Sequence, residues 1–278
     1  MVRIVSDTST LYSPAEAQAA GFAVSPLSVT ISGKSYREFE EIHPRDFVGL
    51  IHAGGMPVSS QPAIGAVEEM YNTYLNDEIL NISMAQGLSG TYDSAVAAKA
   101  LCAHAEKITV VNSRTLCGPH RYLVELAVKL AQDGKSVAEI VSEVERRIPN
   151  AKSFLVPADF EYLRRGGRLS PLVSYVGKAV GLAPVMTQTE DGGRLTIASV
   201  KRGFKQAAKF IGEQFSKMDV GAGWRVYITH ADAPEMAATY EKILREVLVG
   251  AEFETYLLSP AFITQGGPGC VAVQVVEL

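Results

Sequence analysis

The stretch Ile79–Leu101, reading ILNISMAQGLSGTYDSAVAAKAL, constrains the fold more than any other. Ile79 to Met84 is a short apolar run of strand type, and Gln86 to Gly90 is a glycine-punctuated turn. From Thr91 or Tyr92 onward, small residues such as Ala95, Ala97, Ala98 and Ala100 suit a helix. The chain therefore passes from strand through tight turn to helix, with Ser89 and Thr91 where the helix begins. The first N–H groups of a helix lack intrahelical partners and favour negative charge. Two hydroxyls there can also donate to an anion, such as a carboxylate. The plainer reading makes Ser89 or Thr91 an N-cap, and the stretch alone leaves both readings open.

The same alternation extends through the first half. Val2 to Ser6 reads as a strand, followed by the polar turn Asp7-Thr8-Ser9-Thr10. Ser13-Pro14-Ala15-Glu16 is a capping box with proline at the first helical position. Phe22 to Ile31 is extended, and Pro44 to His52 is helical. Val67, Met70, Tyr71, Tyr74 and Leu75 have the spacing of an amphipathic helix, with Ser59 and Ser60 just before it. A strand over Lys107 to Asn112, a helix over Pro119 to Gln132 and a helix capped by Ser136 and Glu139 follow. Such βα alternation implies a mostly parallel sheet flanked by helices. Ligands in such sheets bind beyond the C-terminal strand ends, where Ser59/Ser60 and Ser89/Thr91 are both expected.

At 278 residues the chain suggests one large or two ordinary domains, with a boundary near Asn150. The second half reads as a mixed-sheet α/β domain. It has strands at Ser153–Val156, Trp224–Thr229, Phe253–Leu258 and Val271–Val276, and a hairpin turning at Glu190-Asp191-Gly192-Gly193. Helices are expected over 159–165, 172–180 and 204–217, and from an Asp232/Glu235 capping box through Leu248. Thr264 to Gly269 reads as a glycine-rich loop able to approach a ligand closely.

With 26 Lys+Arg against 30 Asp+Glu, the net charge of −4 disfavours a nucleic-acid partner, and no DNA-reading basic helix is visible. The three cysteines are scattered, as suits a reducing cytosol, and the opening MVRIVSDTST has no signal-peptide pattern. A cytoplasmic protein is expected. His230-Ala231-Asp232 reads as a strand end before a helix cap, so no metal is expected. Gly87-Leu88-Ser89-Gly90-Thr91 approaches the hydrolase elbow G-x-S-x-G, with Thr91 in place of the last glycine. A serine hydrolase using Ser89 is therefore the alternative, and it needs His104, His120 or His230 beside that serine. Two basic clusters, Arg164-Arg165-Gly166-Gly167-Arg168 and Lys201-Arg202-Gly203-Phe204-Lys205, suit phosphate or carboxylate.

Six motifs in order resemble the DegV family, the bacterial fatty-acid-binding proteins that serve as lipid-binding subunits of fatty-acid kinase. They are Ser6-Asp7-Thr8-Ser9, Ser59-Ser60-Gln61-Pro62, Gly87 to Tyr92, Gly166 to Ser170, Asp191 to Leu195 with Lys201-Arg202, and Gln265 to Gly269. The resemblance covers essentially the whole chain. It implies two α/β domains, 1–150 and 151–278, with an acyl chain buried between them. It places fatty-acid carboxylate contacts on Ser59, Ser89 and Gln265, with Ser60, Gly90, Thr91 and Gly266 nearby. It gives Arg168 and Arg202 a headgroup, phosphate or partner-contact role. It implies no cofactor, no catalysis by this chain alone, an ATP-dependent kinase as partner, and peripheral membrane contact for lipid exchange. Ser59 stands where the family has Thr, Gln265 where it has His, and Asn112 where it usually has Asp. A Gln amide still donates to a carboxylate but cannot titrate near neutrality.

Overall fold

The computed structural model describes residues 1–171, 173 and 181–278. The helix expected over 172–180 lies, but for residue 173, outside the described residues. The chain opens with β1 (Val2–Asp7), α1 (Pro14–Ala19), β2 (Ala23–Ser25), β3 (Ser28–Ile31) and β4 (Lys34–Arg37). Then come α2 (Pro44–His52), β5 (Val58–Ser60), α3 (Ile64–Asn72), β6 (Glu78–Ser83), α4 (Thr91–Leu101) and β7 (Ile108–Asn112). α5 (Cys117–Gln132) and α6 (Val137–Arg147) complete the first half.

Four strands form a parallel sheet in the order β2-β1-β6-β7. Ile4, Leu80 and Ile82 point to one face, where α1, α5 and α6 cover them with Ala17, Leu123 and Ile140. Val5 and Ile79 point to the other, under Val67, Tyr71, Ala95 and Ala98 of α3 and α4. Burial on both faces explains the near-continuous apolar runs of β1 and β6. Both capping boxes form: Ser13 and Glu16 close α1, and Ser136 and Glu139 close α6.

Ser59 and Ser60 are not at the end of a parallel strand, as their position before a helix implied. β3, β4 and β5 make a separate antiparallel sheet in the order β4-β3-β5, with Val29 opposite Ser59. The two-residue turn Ser32-Gly33, at φ 50° and 77°, returns the chain into β4. Positive φ at both turn positions is the twist a tight hairpin needs. α3 ends at Asn72, short of the expected Tyr74 and Leu75, and Leu75 is 52% exposed.

The second half contains β8 (Lys152–Val156), α7 (Phe160–Gly166), β9 (Leu182–Gln188), β10 (Leu195–Arg202) and α8 (Phe204–Ser216). β11 (Trp224–His230), α9 (Pro234–Arg245), β12 (Glu252–Leu257), α10 (Pro260–Gly266) and β13 (Val271–Glu277) follow. The six strands form one mixed sheet, β10-β9-β8-β13-β11-β12. Its two faces differ. Phe154, Val226, Ile228, Val273 and Val275 pack under Ile211, Phe215, Tyr240 and Leu244 of α8 and α9. The intervening positions Ser153, Leu155, Ala272 and Gln274 point the other way, toward the first half. There the start of α5 packs so closely that a Cβ on Gly118 would lie 2.1 Å from the Tyr227 ring, and Gly118 N donates to Gln274 Oε1 at 3.3 Å.

Two local expectations change. Thr264 to Gly266 belong to α10, with Pro260 in its first turn, so Gln265 sits at a helix end and not in a loop. Asp232 does not cap α9; His230 Nδ1 instead accepts from Ala233 N at 3.1 Å. Among the described residues no helix is long and apolar enough to cross a membrane, and no three His, Cys, Asp or Glu side chains gather as a metal cluster would require.

Candidate functional site

A cavity of about 940 Å³ lies between the two halves, the open mouth included. The apolar walls include Leu27, Met84 and Leu116 from the first half and Leu155, Met186 and Phe262 from the second. Ser59, Ser89, Arg168 and Gln265 line the same cavity, so four residues from four separate motifs meet. Ser60 and Gln61 join them.

The two serine turns meet through Gln61 and Gly90: the Gln61 side chain of the loop after β5 rests on the start of α4, where a Cβ on Gly90 would lie 2.9 Å from Gln61 Nε2. Gly90 is the N-cap of α4 and offers no side chain to it. Ser89 Oγ takes up part of that role, accepting from Thr91 N at 3.3 Å and lying 2.8 Å from Thr91 Oγ1. Both readings of Ser89 thus coexist: it caps weakly and it faces the cavity. Thr91 is buried, and neither it nor Gly90 lines the cavity.

Gln265 reaches across from α10, and its Nε2 donates to Ser59 Oγ at 3.0 Å. The Ser59 hydroxyl proton is left to donate elsewhere. Gln265 Oε1 is buried with no hydrogen-bond partner among the described residues and rests against Gly166, where a Cβ would approach it to 1.9 Å. Gly266 is equally tight against Cys270 Sγ, at 2.5 Å from a notional Cβ.

Arg168 continues this rim. Its Nε donates to Leu88 O at 3.2 Å, one residue before Ser89, and its Nη1 donates to Gly166 O. The half-buried guanidinium has its pKa lowered, first by burial and then by the neighbouring Arg194 charge. Arg194, which the sequence did not single out as a site residue, donates from Nη1 to Gly167 O at 2.8 Å. The only signal for it was its place in the hairpin motif Asp191 to Leu195.

No histidine lines the cavity. His120 is buried elsewhere, its Nδ1 2.5 Å from Ser9 Oγ and its Nε2 2.9 Å from Ile82 O. His230 serves the α9 turn, and both ring nitrogens of buried His104 lack partners among the described residues. Ser89 has no base, and the hydrolase reading fails among the described residues.

A buried acid lies behind the site, bonded to the first turn of α10. Glu38, fully buried, accepts from Thr8 Oγ1 at 2.5 Å and from Ala261 N at 2.9 Å. It ties the first turn of α10 to the first half. Burial pushes its pKa up to about 7 against those hydrogen bonds, and the Asp7 charge adds to the rise.

The family profile described as "Uncharacterised protein, DegV family" matches residues 1–278. The chain belongs to the DegV family. A DegV domain-containing protein of Caldanaerobacter subterraneus is 31% identical over 262 residues, covering 91% of this chain and 90% of its own. A Thermus thermophilus DegV family protein, described by its fatty acid binding, superposes with a TM-score of 0.88 at 27% identity, covering 100% of this chain and 99% of that one. Bacillus subtilis DegV, described as a fatty acid binding protein, gives a TM-score of 0.87 at 24% identity over 100% of this chain and 99% of that one. At that identity the second match speaks for the fold alone.

In this DegV protein the basic run at the end of β10 is placed apart from the cavity. Leu195 lines the cavity and its N–H donates to Arg168 O at 2.8 Å. Arg202 is the last residue of the same strand and is exposed. At about 3.3 Å per residue it lies roughly 20 Å along β10 from Leu195.

Proposed function

We propose that this protein binds a long-chain fatty acid and presents it to a separate ATP-dependent kinase, which forms an acyl phosphate. The carboxylate sits among Ser59, Ser89 and Gln265; the acyl chain occupies the apolar space between residues 1–150 and 151–278. The observation that carries the reading is one cavity lined both by two hydroxyls and an amide and by apolar walls drawn from both halves. A carboxylate leaving water needs donors, and hydroxyl donors to it make short, charge-assisted bonds. A C16 tail of about 14 CH₂ groups at ~0.8 kcal/mol each contributes on the order of 11 kcal/mol gross. Association costs roughly 4–15 kcal/mol, so affinity depends on how well the walls exclude water.

Gln265 keeps a donor where a histidine would also titrate, so binding by this chain does not depend on ionisation at that position. Arg168 stands at the rim, where a transferred phosphoryl group would emerge, and exposed Arg202 is free to meet the kinase partner. Exchange of the lipid with a membrane surface is part of the same reading. This chain contains no phosphate-cradling glycine loop followed by lysine, and the chemistry falls to the partner. Denaturing extraction and mass spectrometry of protein purified from its expression host tests the reading. A stoichiometric C14–C18 fatty acid is the expected result. A protein that is empty and also fails to take up oleate or palmitate would overturn it.

A further inference from the structure

The floor of the cavity is not uniformly apolar. The mixed sheet presents successive rows of side chains to the first half. One row is Met186, Leu155 and Ala272, from β9, β8 and β13. The next has Ser153 opposite Gln274, with Gln188 on the other flank, since its neighbour Thr187 pairs with Phe154. All three of these polar residues line the cavity beside Leu116 and Leu155. A hydroxyl facing a plain alkyl chain gives up water and gains no hydrogen bond for it. The polar row therefore suits a ligand that brings polar chemistry of its own.

The hydrogen bonds of the row say which chemistry. Gln274 Oε1 accepts from Gly118 N at 3.3 Å, and its Nε2 donates to Leu116 O at 3.0 Å and to Ser153 Oγ at 2.9 Å. Both amide hydrogens of Gln274 are thereby used. Ser153 Oγ is the acceptor in its pair with Gln274, so its own hydrogen points elsewhere, and among the described residues no acceptor takes it. Gln188 is the complement: its Nε2 donates to Arg114 O at 3.3 Å, and among the described residues no donor meets its Oε1. One open donor and one open acceptor on adjacent strands are what an alcohol satisfies. The row also has a place along the ligand. Gly266, next to Gln265, lies against Leu155, where a Cβ would come 3.6 Å from Leu155 Cδ1. Ser153 is two residues further along β8, roughly 7 Å away. It meets the acyl chain several carbons in, and not the carboxylate.

We infer that Ser153 and Gln188 form a second polar subsite inside the acyl cavity, which selects a long-chain fatty acid bearing a hydroxyl part-way along its chain. The inference rests on the acyl-binding reading above and narrows it from fatty acids at large to hydroxy fatty acids. A chain hydroxyl that leaves water for purely apolar walls loses its hydrogen bonds, and such a ligand is rejected. With Ser153 donating to it and Gln188 accepting from it, both bonds are remade. The unsubstituted chain instead leaves the Ser153 hydrogen without an acceptor, and a site built to bond a hydroxyl discriminates against the analogue that lacks one.

The test is calorimetric titration of the full-length protein with octadecanoate and with its 2-hydroxy, 10-hydroxy and 12-hydroxy derivatives. The wild type is expected to bind at least one of the 10- and 12-hydroxy acids about three- to tenfold more tightly than octadecanoate. The 2-hydroxy acid, whose hydroxyl stays beside the carboxylate, is expected to bind no more tightly than octadecanoate. Ser153→Ala is expected to bring the preference to parity or reverse it, and Ser153→Thr, which keeps the hydroxyl, to retain it. Ser59→Ala is expected to weaken all four ligands and leave the preference as in the wild type. Each ratio is taken within one protein, so a general loss of binding or stability in a variant does not imitate the result. No preference in the wild type, a preference for the 2-hydroxy acid alone, or a preference that survives Ser153→Ala overturns the inference. In each of those cases octadecanoate binding leaves the acyl-binding reading standing. Binding of none of the four removes both.

Discussion

Glu38 offers a prediction whose size follows from its surroundings. The carboxyl is fully buried, and its pKa stands at about 7 against 4.5 when free in solution. The folded state therefore holds a proton over a pH range in which the unfolded chain has lost it. A group raised in this way contributes its full stability below pH 4.5 and loses it as pH climbs through about 7. A gap of some two and a half pH units at 1.36 kcal/mol each is roughly 3 kcal/mol. Glu38→Gln removes the titration and keeps the shape. Its carbonyl can still accept from Ala261 N, and its amide can donate to Thr8 Oγ1. Urea unfolding of both proteins at intervals from pH 5 to 8.5 isolates the effect, because other titrating groups are common to the two. The wild type is expected to lose roughly 2–3 kcal/mol relative to Glu38→Gln across that range. A difference constant within about 0.5 kcal/mol would show that Glu38 does not titrate in the fold, and the burial argument would fall.

Ser89→Ala removes a donor from the proposed carboxylate site and should weaken fatty-acid binding by about 1–3 kcal/mol. Equal dissociation constants for the two proteins, measured by competition with a fluorescent fatty acid, would refute that placement. Gly87→Val should push the β9–β10 hairpin away, since a Cβ on Gly87 would lie 2.2 Å from Gly193 Cα. Chemical unfolding should then show about 1–3 kcal/mol lost, the usual cost of overpacking. Phe215→Ala empties the centre of the dry face beneath α8, where the Phe215 ring packs tilted against Phe154 at 5.3 Å between centroids. It is expected to cost about 3–5 kcal/mol in the same assay.

Where local rules decide the structure, the sequence is legible. The strand, turn and helix from Ile79 to Leu101 form as β6 and α4, and the hairpin turn at Glu190 to Gly193 forms between β9 and β10. Both serine–glutamate capping boxes close the helices they mark. What misleads is pattern without direction. The alternation of Leu27, Val29 and Ile31 is the same in parallel and antiparallel sheets, so the extended stretch Phe22 to Ile31 does not reveal that its second half belongs to a separate antiparallel sheet. α10 is only seven residues long and ends in glycines, too short for a 3.6-residue period to emerge. Ser59 is visible as a hydroxyl before a helix, and Ser89, Arg168 and Gln265 as polar residues beside glycines, but only folding puts them on one cavity. Arg194 is marked only by its place in the hairpin motif and Glu38 carries no local signal, because their significance comes from a carbonyl and a helix end distant in sequence.

The cavity takes its walls from both halves of the chain, and this has a thermodynamic consequence. Whatever fills it binds the native arrangement alone, because the unfolded chain has no such surface. A cargo at a thousand times its dissociation constant then adds about 4 kcal/mol to unfolding, comparable to a large part of a domain's net stability. The melting temperature of this protein should therefore track how fully it is loaded, and preparations differing only in cargo would differ in heat resistance.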